Sequence, residues 1–318
     1  MSRTTRIWAR FVASGVTLGI LVWRLGASPF LEGVRTVNAS ALAAAAGLVL
    51  ATTVCSAWRW KIVARGLSVE LSLPVAVAAY YRAMFLNVIL PGGVVGDVHR
   101  GISHGREVSA IGRALRAVAW ERFAGQVVQV VLTVIVLLVL PSPVRSYMPL
   151  VAIGVLATAG SVVLMVRVRV GANRSAWRRI RGAMAGDIRK VLGRRAWVGI
   201  TFASALVFCG HVVTFLIAAQ TAGVAAPLSR MLPLALLVVA VMVIPSVGGW
   251  GPREGATAWV FGAAGLGADR GVVTAVAYGV MVLVACLPGA AVLVVSWFRR
   301  SRSRGRTEVP LAEGAVNA

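Results

Sequence analysis

Long stretches without a charged side chain constrain this chain more than any other feature of its sequence. Six segments of at least 21 residues contain no Asp, Glu, Lys or Arg: 36–58, 123–144, 146–166, 196–229, 231–252 and 271–298. About 20 apolar residues in a helix cross the hydrocarbon core of a bilayer. Because lipid offers the backbone no hydrogen-bonding partner, such segments must be helical or covered by protein, and they lack the alternation of barrel strands. The sequence predicts an all-α, polytopic helical membrane protein.

The positions of the basic residues predict how the chain is oriented. The sequence has 33 Lys and Arg against 10 Asp and Glu, a net charge of +23 that in a soluble protein would indicate a nucleic-acid partner. Here 25 of the 33 lie in five segments: 3–10, 59–65, 98–116, 167–195 and 299–306. Cytoplasmic loops are enriched in Lys and Arg. We therefore expect these segments and both termini on the cytoplasmic side of a bacterial plasma membrane, with no nucleic acid bound.

Two apolar segments are interrupted by turn-forming residues and are predicted to be re-entrant. Residues 71–95 lie between two loops expected in the cytoplasm, contain Arg82 and end in a Pro-Gly-Gly turn at 91–93, so they cannot cross the membrane once. Residues 231–268 are broken at 245–254, and the remaining topology requires them to enter and return from the outer side. The sequence thus predicts about six full spans plus two re-entrant helical hairpins.

The two halves of the chain have the same predicted order of elements in opposite orientations. Each half, about 7–140 and 147–298, consists of span, span, hairpin and span, and only the first begins inside. Interrupted helices at matching places of an inverted repeat are typical of a transporter site; the alternative is that both breaks are ordinary Pro-Gly interruptions. We expect one membrane domain over residues 1–298, with a cytoplasmic basic loop at 167–195 and a disordered tail at 299–318.

Charged side chains at the expected depth of the membrane are costly there and indicate function. Glycines at the breaks permit sharp turns, broken helices can direct backbone N–H groups at an anion, and arginine grips phosphate. Asp97 and Glu254 would balance these arginines or bind a coupling cation or proton. The predicted substrate-binding residues are Arg82, Asn87, Gly92, Gly93, Asp97, Arg100, Glu121, Arg122, Gly248, Gly249, Trp250, Arg253 and Glu254.

The same charges also allow a purely structural interpretation. In that case Arg82 would pair with Glu121, and Asp97 with Arg253, only to hold the hairpins in place. The side chains of Glu121 and the following arginine would alternatively extend to the membrane interface, as long charged side chains do.

The charged and polar residues of the sequence form no constellation typical of an enzyme, a metal site or a cofactor. It has no Walker loop and no His-Glu-x-x-His pair, and its three cysteines lie in apolar stretches without the spacing of a zinc site. We therefore expect no enzymatic activity, no metal and no cofactor. The least favoured alternative, a membrane transferase, would need a catalytic base. The candidates are Asp97, His99, Glu121 and Glu254.

Three blocks of sequence resemble a known family. They are residues 85–100 (Phe-Leu-Asn-Val-Ile-Leu-Pro-Gly-Gly-Val-Val-Gly-Asp-Val-His-Arg), Glu121-Arg122-x-x-Gly125 and Pro245-x-x-Gly-Gly-x-Gly-x-Arg-Glu-Gly255. In this order they resemble the lysylphosphatidylglycerol synthase transmembrane (flippase-like) family over roughly 7–298. Two-part members carry a soluble domain that makes aminoacylated phosphatidylglycerol. This sequence shows no such domain, so the resemblance does not imply aminoacyl transfer. The positions that the resemblance implies for the site are Asn87, Pro91, Gly92, Gly93, Gly96, Asp97, Arg100, Glu121, Arg122, Gly248, Gly249, Arg253 and Glu254.

The predicted function is that of a flippase-like lipid translocase. It would move an anionic or aminoacylated phospholipid, or a lipid-linked sugar, through a polar cavity between the hairpins, with Arg100 and Arg253 on the headgroup phosphate. Without an ATP motif, transport would be downhill or ion-coupled. The alternative is a non-transporting membrane partner that anchors or regulates an enzyme of lipid or cell-envelope synthesis, with 167–195 as its docking surface.

Overall fold

A computed structural model describes residues 3–90, 93–139, 193–242 and 250–296, together with residues 182, 186, 187 and 191. Within these ranges the chain folds into ten helices. They are α1 (Arg3–Leu25), α2 (Ser28–Arg35), α3 (Ala39–Gly66), α4 (Leu73–Ile89), α5 (Val95–Glu107), α6 (Ile111–Val139), α7 (Arg194–Thr221), α8 (Leu228–Val241), α9 (Pro252–Ala263) and α10 (Ala268–Ala285). The predicted all-α class is confirmed for the described part of the chain.

Four helical segments are long and apolar enough to cross a membrane. They are Ala39–Gly66, Ile111–Leu137, Ala196–Thr221 and Ala268–Ser296, the last continuing α10 beyond a two-residue turn. In α1 the apolar part is the shorter segment Gly15–Leu25, and the predicted span 146–166 lies outside the described residues. The chain is therefore a multi-pass membrane protein, whereas the total of about six spans stays a prediction.

Helices α4 and α5 form an antiparallel pair around a short turn, in which Gly93 has a φ of 63°, a conformation that favours glycine. Near this turn Gly96 lies so close to the backbone of Ala83 that a Cβ would overlap its carbonyl oxygen. At the far end, the His104 Nε2 atom lies 2.8 Å from the carbonyl oxygen of Glu70. The start of α4 and the end of α5 therefore lie at the same end of the molecule, as a hairpin requires. The returning limb is α5, which extends beyond the predicted hairpin 71–95 into the predicted loop 98–116; a re-entrant course in the membrane stays a prediction.

Helices α8 and α9 form a second antiparallel pair. Arg230, at the start of α8, donates a 2.5 Å hydrogen bond from Nη2 to the carbonyl oxygen of Ala264, which follows α9. Helix α9 begins at Pro252, directly after Gly251 with a φ of 98°. A proline in the first helical turn has no intrahelical N–H bond to lose, so α9 starts at Pro252 and includes the last three residues of the break predicted at 245–254.

The connections between helices gather at the two ends of α7, whose 28 residues span about 42 Å. Near its start, Asp187 Oδ2 accepts a 2.8 Å hydrogen bond from Arg116 Nε, which brings two basic loops together. Near its end, Arg270 Nη1 donates a 3.0 Å hydrogen bond to the carbonyl oxygen of Gly223. The first contact places residues of the basic segments 98–116 and 167–195 together, as the charge distribution predicts, and the cytoplasmic assignment of these segments stays a prediction.

Candidate functional site

A cavity of about 720 Å³ lies at the tips of the two hairpins, within the size range of small-ligand sites. The α4–α5 hairpin contributes Asn87 and Gly93 to its wall, and the α8–α9 hairpin contributes Met242 and Trp250 beside its break. Helices α3, α6, α7 and α10 complete the wall. The interrupted ends of both hairpins therefore meet at one place, where the sequence predicted a polar cavity.

Glu121 of α6 is the centre of a buried ionic network behind this wall. Its side chain is 0% exposed. Its Oε1 atom accepts hydrogen bonds from Arg59 Nε at 2.9 Å and from the Tyr80 hydroxyl at 2.8 Å, and Arg59 Nη2 contacts the same oxygen. Its Oε2 atom accepts a 2.6 Å bond from Arg100 Nη2. A buried carboxylate needs such partners, so Glu121 ties α3, α4 and α5 to α6.

Asp97, in the first turn of α5, extends the network to the cavity. Its Oδ1 atom accepts a 3.0 Å bond from Arg100 Nε. Its Oδ2 atom accepts bonds from Arg122 Nη2 at 2.5 Å and from Asn87 Nδ2 at 3.0 Å. The Asn87 side-chain oxygen in turn accepts a 2.7 Å bond from the backbone N–H of Gly96. The tip of the first hairpin is thereby fixed to α6 through one carboxylate.

The network carries one excess positive charge. It contains the guanidinium groups of Arg59, Arg100 and Arg122 and the carboxylates of Asp97 and Glu121. Of the three arginine side chains, Arg122 is 46% exposed, Arg59 7% and Arg100 0%. Arg59 and Arg122 belong to the cavity wall, and the two carboxylates do not. The excess charge therefore faces the cavity.

Arg100 is enclosed by aromatic rings. Its guanidinium carbon lies 4.1 Å from the centroid of the Tyr80 ring and 4.6 Å from that of Trp60, which is cation–π geometry. Trp60 is itself 0% exposed. Arg100 therefore supports the network from behind, and Arg122 rather than Arg100 presents a guanidinium to the cavity beside the first hairpin.

Gly125 explains the spacing of the second sequence block. A Cβ at this position would lie 2.7 Å from Arg59 Nη1, closer than side chains approach in folded proteins. Glycine leaves the room in which the Arg59 guanidinium reaches Glu121, one helical turn earlier on the same face of α6. Arg59 also donates a 3.0 Å bond from Nη1 to the Ser204 hydroxyl of α7.

The break before α9 carries a smaller and electrically neutral pair. Arg253 donates from Nε and Nη2 to Glu254 Oε1 at 3.0 and 2.5 Å, and Glu254 Oε2 accepts a 2.7 Å bond from the backbone N–H of Gly251. The Arg253 guanidinium lies 5.3 Å from the Trp250 ring centroid and 5.6 Å from that of Tyr278. Arg253 belongs to the cavity wall, whereas Glu254 is 0% exposed behind it.

The predicted site residues occupy three kinds of position. Those on the cavity wall are Asn87, Gly93, Arg122, Trp250 and Arg253. Those buried behind the wall are Asp97, Arg100, Glu121 and Glu254. Arg82 is partly buried on α4 and is not among the wall residues. Gly92, Gly248 and Gly249 lie outside the described residues, as does Pro91.

The charge pairs differ from those expected for a purely structural role. Glu121 pairs with Arg59 and Arg100, and Arg253 pairs with its neighbour Glu254 instead of Asp97. Full burial of Glu121 also excludes its extension to the membrane interface. The expected pairing of Asp97 with Arg253 was wrong, because sequence spacing does not show which helices are adjacent.

The backbone N–H groups expected to face an anion are partly used by the protein itself. The N–H of Gly96 donates to Asn87, and the N–H of Gly251 donates to Glu254. The site therefore offers an anion arginine side chains at both breaks, and these two N–H groups hold the breaks in shape.

Three residues of the site were not predicted: Arg59, Tyr80 and Tyr278. Charge counting assigns Arg59 to the basic segment 59–65, yet it is buried against Glu121. Gly125 was the available signal, because a glycine one turn after a membrane-buried acid leaves room for a large partner. Tyr278 bonds the ring of His211 on α7, with 3.2 Å between its hydroxyl and Nδ1; nothing in the sequence indicates that contact.

Residues Gly101-Ile-Ser-His-Gly105 match the Gly-x-Ser-x-Gly pattern of hydrolases, but they lie inside helix α5. The hydrolase pattern requires a sharp strand-to-helix turn that exposes the serine. Here the two glycines serve helix packing: a Cβ on Gly101 would lie 2.9 Å from Leu115, and one on Gly105 would lie 2.5 Å from Ile111. Within the described residues, no group of three or more His, Cys, Asp or Glu side chains could hold a metal ion.

A family model described as lysylphosphatidylglycerol synthase TM region matches residues 7–302, which is nearly the whole chain. The match includes both hairpins, the ionic network and the Arg253–Glu254 pair. No curated protein and no solved structure matches the chain.

Proposed function

The chain belongs to the lysylphosphatidylglycerol synthase TM region family, and from that premise we propose that it is a lipid translocase. The family places it among membrane domains related to lipid or envelope synthesis. Our proposal goes further: the chain moves an anionic or aminoacylated phospholipid, or a lipid-linked sugar, between the leaflets of the bacterial cytoplasmic membrane. The observation that carries the proposal is the cavity at the two hairpin tips, whose wall contains Arg122 and Arg253.

The composition of the wall suits an amphiphile. Polar side chains of α3 and α6, among them Ser56 and Gln126, share the wall with apolar side chains of α8 and α10, among them Val239 and Val282. A headgroup can hydrogen-bond to the first set while acyl chains contact the second. A water-soluble substrate would leave the apolar set without a partner, so a lipid fits the wall better.

In this proposal Arg122 and Arg253 bind the headgroup phosphate. Guanidinium groups form paired, charge-assisted hydrogen bonds to phosphate oxygens. Asp97 and Glu254 hold the two arginines in position, and Arg59 and Arg100 neutralise Glu121 behind them. No catalytic step is assigned to any of these groups, and transport is downhill or ion-coupled.

The decisive test is transbilayer movement of labelled lipids in proteoliposomes, with wild type beside Arg253→Ala. We expect movement in the wild type and loss of most of it in the variant, with both proteins monodisperse and equally reconstituted. Equal rates in the two proteins would overturn the assignment of Arg253. No movement of any lipid by folded wild type would overturn the proposal and favour a membrane partner that regulates a lipid or envelope enzyme.

The proposed orientation has a separate test. Ser109 follows α5, and Ser229 lies at the start of α8; both are exposed and lie at opposite ends of the molecule. In a background without the three native cysteines, Ser109→Cys should react with a membrane-impermeant maleimide only from the cytoplasm. Ser229→Cys should react only from outside. Reaction of Ser109→Cys from outside would contradict the proposed topology.

A further inference from the structure

The sequence contains ten acidic residues, and eight of them can be located relative to the cavity. Eight lie in the described ranges, and none of these eight belongs to the cavity wall. The other two, Glu308 and Glu313, lie in the C-terminal tail, and the remaining stretches of chain contain no Asp or Glu. Between residues 1 and 298, the chain thus has no carboxylate for the wall.

The three acids nearest the cavity already serve arginines. Asp97 is held by Arg100 and Arg122, Glu121 is 0% exposed, and Glu254 is also 0% exposed and paired with Arg253. None of them is available to a second cation without losing its present partner. A positively charged group in the cavity would therefore have to displace an arginine from a buried carboxylate.

Aromatic rings also bind an ammonium ion, and the Trp and Tyr rings of the wall are engaged, whereas Phe208, the other aromatic residue of the described wall, is 6% exposed. The Trp250 and Tyr278 rings lie 5.3 and 5.6 Å from the Arg253 guanidinium. The Tyr80 ring lies 4.1 Å from that of Arg100. The Trp and Tyr rings of the described wall thus each already face a cation.

The charge of the wall favours one kind of headgroup. The ionic network has an excess of one positive charge, which faces the cavity through the half-exposed Arg122. The Arg253–Glu254 pair adds no net charge. A phosphodiester carries one negative charge and would neutralise this excess. A lysyl ester on the headgroup glycerol adds two ammonium groups beside the same phosphodiester, and like charges across a binding site are repelled.

We infer that the site selects a lipid whose phosphodiester headgroup carries a net negative charge and no ammonium group, and that it rejects aminoacylated headgroups. This inference rests on the proposed function and narrows it to one substrate class. The membership of a family named for lysylphosphatidylglycerol gives no such preference; the wall of this chain supplies it.

The test compares initial rates of movement for fluorescent phosphatidylglycerol, lysylphosphatidylglycerol and phosphatidylcholine in proteoliposomes of the wild type, with uptake of inorganic phosphate measured in parallel. We expect phosphatidylglycerol to move at least about tenfold faster than either other lipid, a difference of about 1.4 kcal/mol, and no phosphate uptake. Movement of lysylphosphatidylglycerol at an equal or higher rate would overturn the inference and leave the proposed translocase intact. Phosphate uptake without lipid movement, or no movement at all, would overturn the proposed function itself.

A negative charge added to the wall should weaken the preference for phosphatidylglycerol over lysylphosphatidylglycerol. Gln126 belongs to the wall and lies one helical turn after Arg122 on the same face of α6. Gln126→Glu should cancel the excess charge and reduce the ratio of phosphatidylglycerol to lysylphosphatidylglycerol rates by about tenfold or more. Gln126→Met, of similar size, should keep the ratio. Gln220→Glu adds the same charge at an exposed position outside the wall and should change neither rate; a ratio that is the same in all three variants would contradict the inference.

A second measurement needs no variant and so remains informative if Gln126→Glu does not fold. A ligand that binds only the folded state raises its thermal stability. Phosphatidylglycerol added to the wild-type protein in neutral detergent should raise the unfolding temperature more than lysylphosphatidylglycerol at the same concentration. A larger shift with lysylphosphatidylglycerol would contradict the inference.

Discussion

The two breaks are alike in sequence and differ in how their charges are neutralised. At the first, five charged residues from α3, α5 and α6 form one network with an excess positive charge. At the second, Arg253 and its neighbour Glu254 form a neutral pair on a single helix. An arginine of the cavity wall lies beside each break, Arg122 of α6 at the first and Arg253 of α9 at the second. The hairpin at the first break is thus ion-paired to α3 and α6, whereas the charges at the second break pair within α9. The network at the first break gives the cavity its excess positive charge.

The largest expected effect is a loss of stability when Glu121, at the centre of the network, is replaced. Glu121→Gln would leave Arg59 and Arg100 buried with only Asp97 as a counter-charge, and breaking a buried ion pair costs on the order of 3–5 kcal/mol. The unfolding temperature in detergent should fall sharply, and more than for Glu254→Gln, which leaves a single arginine beside the cavity. Glu107→Gln, whose side chain is 60% exposed, is the control and should have almost no effect. An unchanged unfolding temperature for Glu121→Gln would show that the network does not hold the fold.

The next largest effect is a loss of stability when either of two glycines, one beside each break, is replaced by alanine. In Gly125→Ala the new methyl group would overlap the Arg59 guanidinium, and in Gly279→Ala that of Arg253. Overpacking of this kind costs about 1–3 kcal/mol. The first variant should be the less stable of the two, because Arg59 also holds Glu121. Gly47→Ala, where a Cβ would have no neighbour within 4 Å, should be neutral or stabilising by up to about 1 kcal/mol.

Replacing Arg122 should reduce lipid transport while leaving the stability of the protein nearly unchanged. Its side chain is 46% exposed, and Asp97 keeps Arg100 as a partner when Arg122 is replaced. Arg122→Gln should therefore change the free energy of unfolding by less than about 1 kcal/mol and still reduce lipid movement by about tenfold or more. Arg122→Lys should restore part of the rate. A variant that transports normally would remove Arg122 from the site, and one that unfolds would show that it is part of the structural network.

The smallest effect concerns the ring beside Arg253. Phenylalanine binds a cation less well than the indole of Trp250, and such contacts contribute about 0.5–1 kcal/mol at partly exposed sites. Trp250→Phe should slow transport by about two- to fivefold. Trp259→Phe, on the same helix region but 50% exposed, should leave the rate unchanged. Equal transport rates for wild type and both variants would show that the Trp250 indole has no role in transport and that only the charged residues at the second break can have one.

The sequence was sufficient to predict the membrane class, the two breaks and most of the charged residues around the cavity, since each follows from local composition. The partners of those charges could not be predicted, because they depend on which helices are adjacent. Arg59 shows the limit: it belongs to the same basic segment as Arg65 on α3, and only the structure shows that it faces Glu121 and Gly125. Likewise, nothing in the spacing indicates that Arg100 would lie behind the wall and Arg122 on it.

The local pairing of Arg253 with Glu254 has a mechanical consequence. Because both members lie in the first turn of α9 and Glu254 also holds the Gly251 N–H, this end of the second hairpin can shift as a rigid body without separating a charge from its partner. The tip of the first hairpin cannot, since its displacement would pull Asp97 from Arg122 and Arg100 from Glu121. Any opening of the cavity should therefore be carried by α8 and α9, with α4 and α5 as the stationary side against which they move.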